Sequence, residues 1–537
     1  MRKLRIYIVC LSSLLALSSC EDEILDLTER DRLPTSSAVA SINGLQTTML
    51  DVYVNARAIH EANDISCYKQ CGTDIAMSGT NMDDVPQGGM RGMMEYSNAF
   101  DATSGIGDAS GVEDVFNQLY LAIDRCNVVI AFGGETPVDN TQEEILRDQL
   151  IGEAYALRAY AYLELATRWD NAVVANLAQS VDDIVFTADL SNRDELMQLV
   201  ISDLEAAIPL LRTRMETNDV GKASKEMAYL MLTKAHLWLG NWAEAASAAE
   251  NVIALGAQLQ PLDGIFGTVG GKTGEENNQE LIFSWIFNPA DQNRPQRTIQ
   301  MYVPLYDRVP GVARTLEQGG RPWSRLSPTD YYWSLFEEGD GRLEAWHKLS
   351  WTVDDPDNID TGLEGGSDLQ AGDELTAESP YFLAWASNDD QIHYLDPSCS
   401  KNWEDGTYGR LESEAQGFRN VIVYRLAEAY ILGAEAHLRN GNEGGALNLI
   451  NTLRERAFGD ASHNFSSLSM ENIIEEHARE LGHEGHRWGF LKRLGILVER
   501  VQMHNPSASA NIQEKHTRWP IPQNFVDQLG VEQNPGY

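Results

Sequence analysis

Apolar residues return every three or four positions along much of this 537-residue chain, a spacing that suits packed helices and little else. Across Glu113–Trp169, Val115, Leu119, Ala122, Ile123 and Cys126 keep one face apolar. Ile145, Leu150, Ala154, Leu157, Ala161 and Leu165 do the same in a second helix from about Gln142 to Thr167. Further helices are expected near Arg193–Leu211, Lys222–Leu239 and Ala243–Leu255. Two distant segments then share a register. In Tyr229-x2-Leu232-x3-His236-x3-Gly240-x-Trp242-x2-Ala245 a helix reaches a glycine, turns and restarts on small residues. Tyr430-x6-His437-x3-Gly441-x4-Ala446 repeats the Gly-to-Ala spacing, with a histidine again four residues before the glycine. Glycine ends a helix in a left-handed turn, and alanine lets the next helix pack closely.

This is the pattern of tetratricopeptide-type units, each a helical hairpin that buries its apolar face only against a neighbour. The helices of 113–167 would supply a third pair. The alternative is a set of unrelated hairpins that share a turn type. Repeats are expected over about 113–256 and 421–460. Between about 280 and 403 the texture changes: helical periodicity fades, and Trp285, Trp323, Trp333, Trp346, Trp351, Trp385 and Trp403 gather there out of twelve tryptophans in the chain. From Leu349 to Ser400 there is no lysine or arginine, while acids accumulate from Asp354 to Glu378. That composition predicts a large irregular, loop-rich insert, too aromatic to be disordered.

The chain carries 41 Lys+Arg against 80 Asp+Glu, a net charge of −39. Such a balance argues against nucleic acid as a partner and against electrostatic docking on an anionic leaflet. Membrane attachment would have to be covalent or through a protein partner. Arg2, Lys3 and Arg5 precede an apolar run, Ile6–Leu17, that is too short to span a bilayer, so residues 1–19 read as a secretory signal. The run ends in Leu17-Ser18-Ser19-Cys20, which resembles the lipobox of bacterial lipoproteins and implies lipidation of Cys20; the alternative is an ordinary signal that contains a cysteine. Glu21, Asp22 and Glu23 resemble a surface-export signal of Bacteroidota lipoproteins. Of the remaining cysteines, Cys67 and Cys71 are spaced for a local disulfide or sit as unpaired small hydrophobes.

No pattern announces catalysis. His483-Glu484-Gly485-His486, even with His477 nearby, lacks the spacing of a zinc-protease helix. There is no nucleophile elbow and no phosphate loop. Asp355-Pro356-Asp357-Asn358-Ile359-Asp360 has acids in a loop, as calcium sites do, without the EF-hand glycine and bidentate glutamate. The expectation is a non-catalytic protein without a cofactor, a structural calcium being the one exception left open.

Three C-terminal stretches carry a resemblance. Tyr424–Ala436 resembles the RxAExxLxxAEA helix of the SusD/RagB family, and Leu449–Ala457 its INxxRxRA continuation. Glu484-Gly485-His486-Arg487-Trp488 with Leu491–Gly495 looks like its EGxRWxDLxRxG motif, except that Gly489-Phe490 stands where the family has a residue and then Asp. Trp519-Pro520-Ile521-Pro522 and Gln533–Tyr537 resemble its PIP…QNPGY ending. Arg456 and Arg487 read as partly buried guanidinia paired with Glu428, Glu435 or Glu484. Trp488 is expected to fill a groove, and residues 515–537 to form an extended strap.

The resemblance implies one SusD-like domain over 20–537, mainly α. It implies a nutrient-binding lipoprotein on the outer face of the outer membrane that hands an oligosaccharide to a SusC-like TonB-dependent transporter. Alternatives are a peptide-binding receptor of RagB type, which the run Met77, Met82, Met90, Met93 and Met94 favours, and a repeat scaffold for protein assembly. By the same resemblance the ligand face would draw on Asp74, Asn81, Tyr96 and Phe100, and on Trp285, Tyr302, Tyr306, Arg321, Trp323 and Tyr331. Sugar C–H faces stack on aromatic rings, and hydroxyls need polar groups at the rim.

Overall fold

The computed structural model describes residues 38–61, 66–82, 90–97, 100, 110–175, 188–266, 276–291 and 293–537. The signal segment, Cys20 and the acids that follow it lie outside the described residues. The fold is mainly helical. Its longer helices are α1 (Ile42–Arg57), α2 (Ser110–Phe132), α3 (Thr141–Trp169), α4 (Arg193–Ala207), α5 (Lys225–Leu239) and α6 (Trp242–Ala254). After a long interval come α7 (Leu426–Arg439), α8 (Glu443–Phe458), α9 (Met470–Leu481), α10 (Arg487–Leu494) and α11 (Leu497–His504). None of the described helices is long and apolar enough to cross a membrane.

Local chemistry sets the helix ends. Asn140 accepts from the backbone amides of Gln142 and Glu143, and Asn192 forms a reciprocal cap with Glu195. Gly240 closes α5 at φ 74°, and Gly441 follows α7 at φ 78°. The shared register has a structural counterpart. His236 Nδ1 lies 3.5 Å from the Asn241 amide, and His437 Nδ1 lies 3.1 Å from that of Asn442. Successive helices pack on one another from α2 through α6, and α7 then docks directly on α6. At that junction a side chain on Gly433 would approach both the Ala249 Cβ and a Leu449 methyl to 3.0 Å. Two hairpins far apart in sequence are thereby neighbours in one stack.

The irregular insert leaves the stack through a two-stranded neck. Strand Leu281–Trp285 pairs antiparallel with Val421–Arg425, which runs straight into α7. Inside the insert Tyr306, Trp351, Phe382, Leu395 and Trp403 form a second apolar core of their own. Most of its tryptophans therefore build the insert and do not face solvent: Trp285, Trp346, Trp351 and Trp403 are buried, whereas Trp323, Trp333 and Trp385 are half-buried. The acidic loop at Pro356–Asn358 is a short exposed turn. No group of three or more metal-capable side chains converges among the described residues.

Buried ions fasten insert to scaffold. Arg342, wholly buried, bonds Asp340 at 2.7 Å and Glu476 at 2.6 Å. Arg425 bonds Glu280 (2.9 Å), Glu480 (2.7 Å) and Glu484 (2.6 Å), and Lys401 reaches Glu484 at 2.7 Å. The partners expected for two arginines are corrected here: Arg456 pairs with Glu280 and Glu480, and Arg487 holds Asp74 in a two-pronged bond of 2.8 and 2.7 Å. Glu428 instead meets Lys234 and His486, and Glu435 meets Arg493. His477 stacks on Phe490 at 3.9 Å and His483 bonds the Tyr302 hydroxyl at 2.8 Å, so the histidine-rich motif is structural.

Phe490, which departs from the family pattern, fills its place with an aromatic ring flanked by the Arg487 and Arg493 guanidinia at 5.7 and 5.5 Å. Trp488 is buried, and its indole donates to the Tyr96 hydroxyl at 3.0 Å. The C-terminal segment is more than an extended strap. Trp519 and Ile521 are buried, Trp169 donates to the Pro520 carbonyl at 2.8 Å, and a short helix, Gln523–Leu529, interrupts the run. Cys67, Cys71, Cys126 and Cys399 are all unbridged and buried. Burial pushes the Cys67 thiol up to about 12.

Candidate functional site

Strand Ala76–Ser78 pairs antiparallel with Leu326–Pro328, setting Met77 opposite Ser327. The pairing continues past the strands: Gly79 N donates to Arg325 O at 3.0 Å and Asn81 N to Ser324 O at 3.1 Å. This ribbon separates two hollows, because Thr80 and Ser324 line one while Asn81, Trp323 and Arg325 line the other.

The larger hollow is a cleft of about 900 Å³. One wall is the end of α11 with Gln502, Met503, His504 and Asn505. Asn505 ties that wall to the ribbon by donating to the carbonyls of Thr73 (2.7 Å) and Ala76 (2.9 Å). The facing wall is the insert loop with Asp389, Asp390, His393 and Asp396. His393 bonds Asp396 at 2.8 Å, and that bond raises its pKa. On the floor the Tyr331 ring stacks on His504 with centroids 3.9 Å apart and planes 22° apart. Arg500 backs the pair, its guanidinium 4.8 Å from the Tyr331 ring, while bonding Glu471 at 2.9 Å. A flat aromatic surface in a cleft whose rim carries polar side chains is a platform for stacking.

The smaller hollow, about 530 Å³, holds Asn81, Leu305, Asp307, Pro322 and Trp323 with four arginines, Arg308, Arg314, Arg321 and Arg325. Arg325 lies over the Trp323 ring at 5.2 Å and donates to the Asn81 carbonyl.

The ten expected ligand residues divide sharply. Asn81, Arg321 and Trp323 come together in the smaller hollow, and Tyr331 lies in the cleft with Tyr302 at its floor. Asp74, Tyr96, Phe100, Trp285 and Tyr306 are corrected to scaffold. Asp74 is buried; burial alone would push its carboxyl up, but Arg487 and Arg500 outweigh it and hold the group below its ordinary value. Tyr96 donates to the Gly72 carbonyl at 2.6 Å and packs against Phe100 edge-on at 6.0 Å. Trp285 packs between Phe283 and Tyr160. Tyr306 stacks on Trp351 at 4.7 Å and donates to the Gly320 carbonyl at 2.7 Å. Tyr302 is buried but for an edge, its hydroxyl held by His483. Of the methionine run, Met82, Met90, Met93 and Met94 are buried and Met77 alone lines the cleft, so the soft surface is a core.

Sequence reasoning missed His504, the loop Asp389–Asp396 and three of the four arginines. The arginines had a legible signal, since they crowd one short stretch of a strongly acidic chain. His504 had none, because its partner Tyr331 lies far away in sequence.

Comparison with known proteins fits this architecture. A sequence profile described as the SusD family matches residues 279–537, and one described as "Starch-binding associating with outer membrane" matches residues 38–237. The chain belongs to the SusD family. A SusD-like protein of Formosa agariphila is 23% identical, with 94% of this chain and 93% of that protein covered. A crystal structure of a SusD homolog from Bacteroides thetaiotaomicron superposes with a TM-score of 0.72 at 20% identity, covering 95% of this chain and 99% of the other. Surface glycan-binding protein A of the same organism, in complex with laminarihexaose, superposes with a TM-score of 0.69 at 19% identity, covering 92% and 99%. The SusD fold is thus common to the family member described here and to these solved structures.

Proposed function

We propose that this protein captures an oligosaccharide in the cleft floored by Tyr331 and His504 and in the adjoining hollow of Trp323, without altering it chemically. The observation that carries this is the stacked, half-buried platform in a large cleft, in a chain of the SusD family. Lipidation at Cys20 would hold the body on the outer face of the outer membrane. From there it would close over a SusC-like TonB-dependent transporter, tethering that makes capture and delivery effectively intramolecular. A related protein's complex with laminarihexaose supports a glycan as ligand class. The burial of four of the five clustered methionines removes the main sequence support for a peptide ligand.

The test is retention of the purified protein in gels containing single polysaccharides, followed by calorimetry on the one retained. Affinity in the µM–mM range, about 4–8 kcal/mol, is expected. Tyr331→Ala with Trp323→Ala should weaken binding about tenfold or more, because each stacked ring contributes about 0.5–1.5 kcal/mol beyond its buried area. The melting temperature should stay put, both rings being only half-buried. Retention of no glycan, or unaltered retention by the double variant, would overturn the proposal.

A further inference from the structure

In a chain of net charge −39, the smaller hollow gathers, among the described residues, four arginines and a single aspartate around an indole. Asp307 neutralises only Arg314, which it meets at 2.7 Å. Arg308 is exposed and uses one N–H on the Tyr394 hydroxyl at 3.3 Å, which is neutral. Arg321 is exposed and has no hydrogen-bond or ion-pair partner among the described residues. The cleft across the ribbon has the opposite character, with Asp330, Asp389, Asp390 and Asp396 on its walls. Arginine forks match the paired oxygens of carboxylates and sulfates, and such charge-assisted bonds are roughly twice as strong as neutral ones. Screening at physiological salt acts over about 8 Å, so the groups close to this hollow, and not the acids of the cleft, set the field inside it.

We infer that the hollow selects an anionic glycan: a carboxylate or sulfate group on the sugar is held between Arg308 and Arg321, its ring rests on Trp323, and neutral sugar units continue into the Tyr331 cleft. This rests on the glycan-binding proposal above and names its substrate class. A purely neutral polysaccharide would offer these guanidinia hydroxyl acceptors but no opposite charge. Asp83 and Asp84 follow close after Asn81 in sequence and lie outside the described residues. A hollow they neutralised would show no preference for anions, which the following experiment reads directly.

The full-length protein is titrated calorimetrically with three oligosaccharide sets of matched length: neutral gluco-oligosaccharides, uronic-acid oligomers and sulfated galactan oligomers. A glutamate-rich peptide is the fourth arm. Binding of the uronate or the sulfated set at least about tenfold tighter than the neutral set is expected, weakening as salt rises. The two anionic arms distinguish carboxylate from sulfate. Arg308→Gln with Arg321→Gln should abolish that preference while leaving the melting temperature unchanged. Equal affinity for neutral and anionic sets, with Tyr331→Ala still weakening binding, would overturn the inference and leave the glycan proposal standing. Preference for the acidic peptide over every glycan would overturn the inference. Binding of no glycan at all would overturn both.

Discussion

Asp74 bears a charge where no water reaches it, and the two-pronged bond from Arg487 is what permits this. The same bond joins an N-terminal loop to α10 near the other end of the chain. Arg487→Met should therefore cost about 3–5 kcal/mol, because removing one partner leaves the other buried and poorly compensated, with only Arg500 at 3.3 Å. Urea unfolding measures this directly; a loss under 1 kcal/mol would mean that water enters the site. Tyr306 presents the opposite case. It has the residue type of a sugar platform but stacks on Trp351 in the insert core, so Tyr306→Ala is expected to destabilise by about 3–5 kcal/mol, as large-to-small core changes do. Equal stability of wild type and variant would place Tyr306 outside the core.

Among the elements, the junction of α6 with α7 is closely packed. A side chain at Gly433 would press on Ala249 and Leu449 at 3.0 Å, tighter than ordinary van der Waals contact. Gly433→Val should lower stability by about 1–3 kcal/mol through overpacking, and more if the two hairpins part. Calorimetric melting would report it, and an unshifted transition would show that the helices can slide. The neck strands act at the same scale. By pairing Leu281–Trp285 with Val421–Arg425, they close the insert into an independent core and return the chain to the stack in register.

For the molecule as a whole, pH acts through buried charge. Arg342, Arg479 and Arg454 together overcome the cost of burial and hold Glu476 at about 2. An unfolded glutamate takes up its proton near 4.3, so stability is complete above that value and falls as pH drops from about 4.5 towards 2. The buried histidines begin the decline earlier. Burial lowers His60 to about 4, with Lys69 adding to it, and His347 to about 3, with Lys401 adding to it. Because their unfolded counterparts bind a proton near 6.5, stability falls as pH passes below that value. Urea midpoints at pH 8, 5.5 and 3.5 should decrease in that order; a flat profile between the first two would mean these histidines are solvated.

Periodicity made the helical stack legible because a packed helix must repeat its apolar residues every turn, and the Gly-to-Ala register located both hairpins of α5–α8. Family motifs near the C-terminus mark which arginines are structural but not whom they meet: the sequence points Arg487 to Glu428, Glu435 or Glu484, and the fold brings it to Asp74. The candidate site was legible only in part. Trp323 and Arg321 emerged because they lie in one irregular stretch, whereas Tyr96, Phe100, Trp285 and Tyr306 have the same chemistry and vanish into cores.

The sequence by itself determined what local forces control: where helices start and stop, that a long aromatic stretch interrupts them, and that the chain is strongly anionic. Only the tertiary structure decided which rings face water, that Tyr331 meets His504, and that four arginines share one hollow. Burial and stacking depend on neighbours brought from distant parts of the chain, and no local pattern of residue types specifies them.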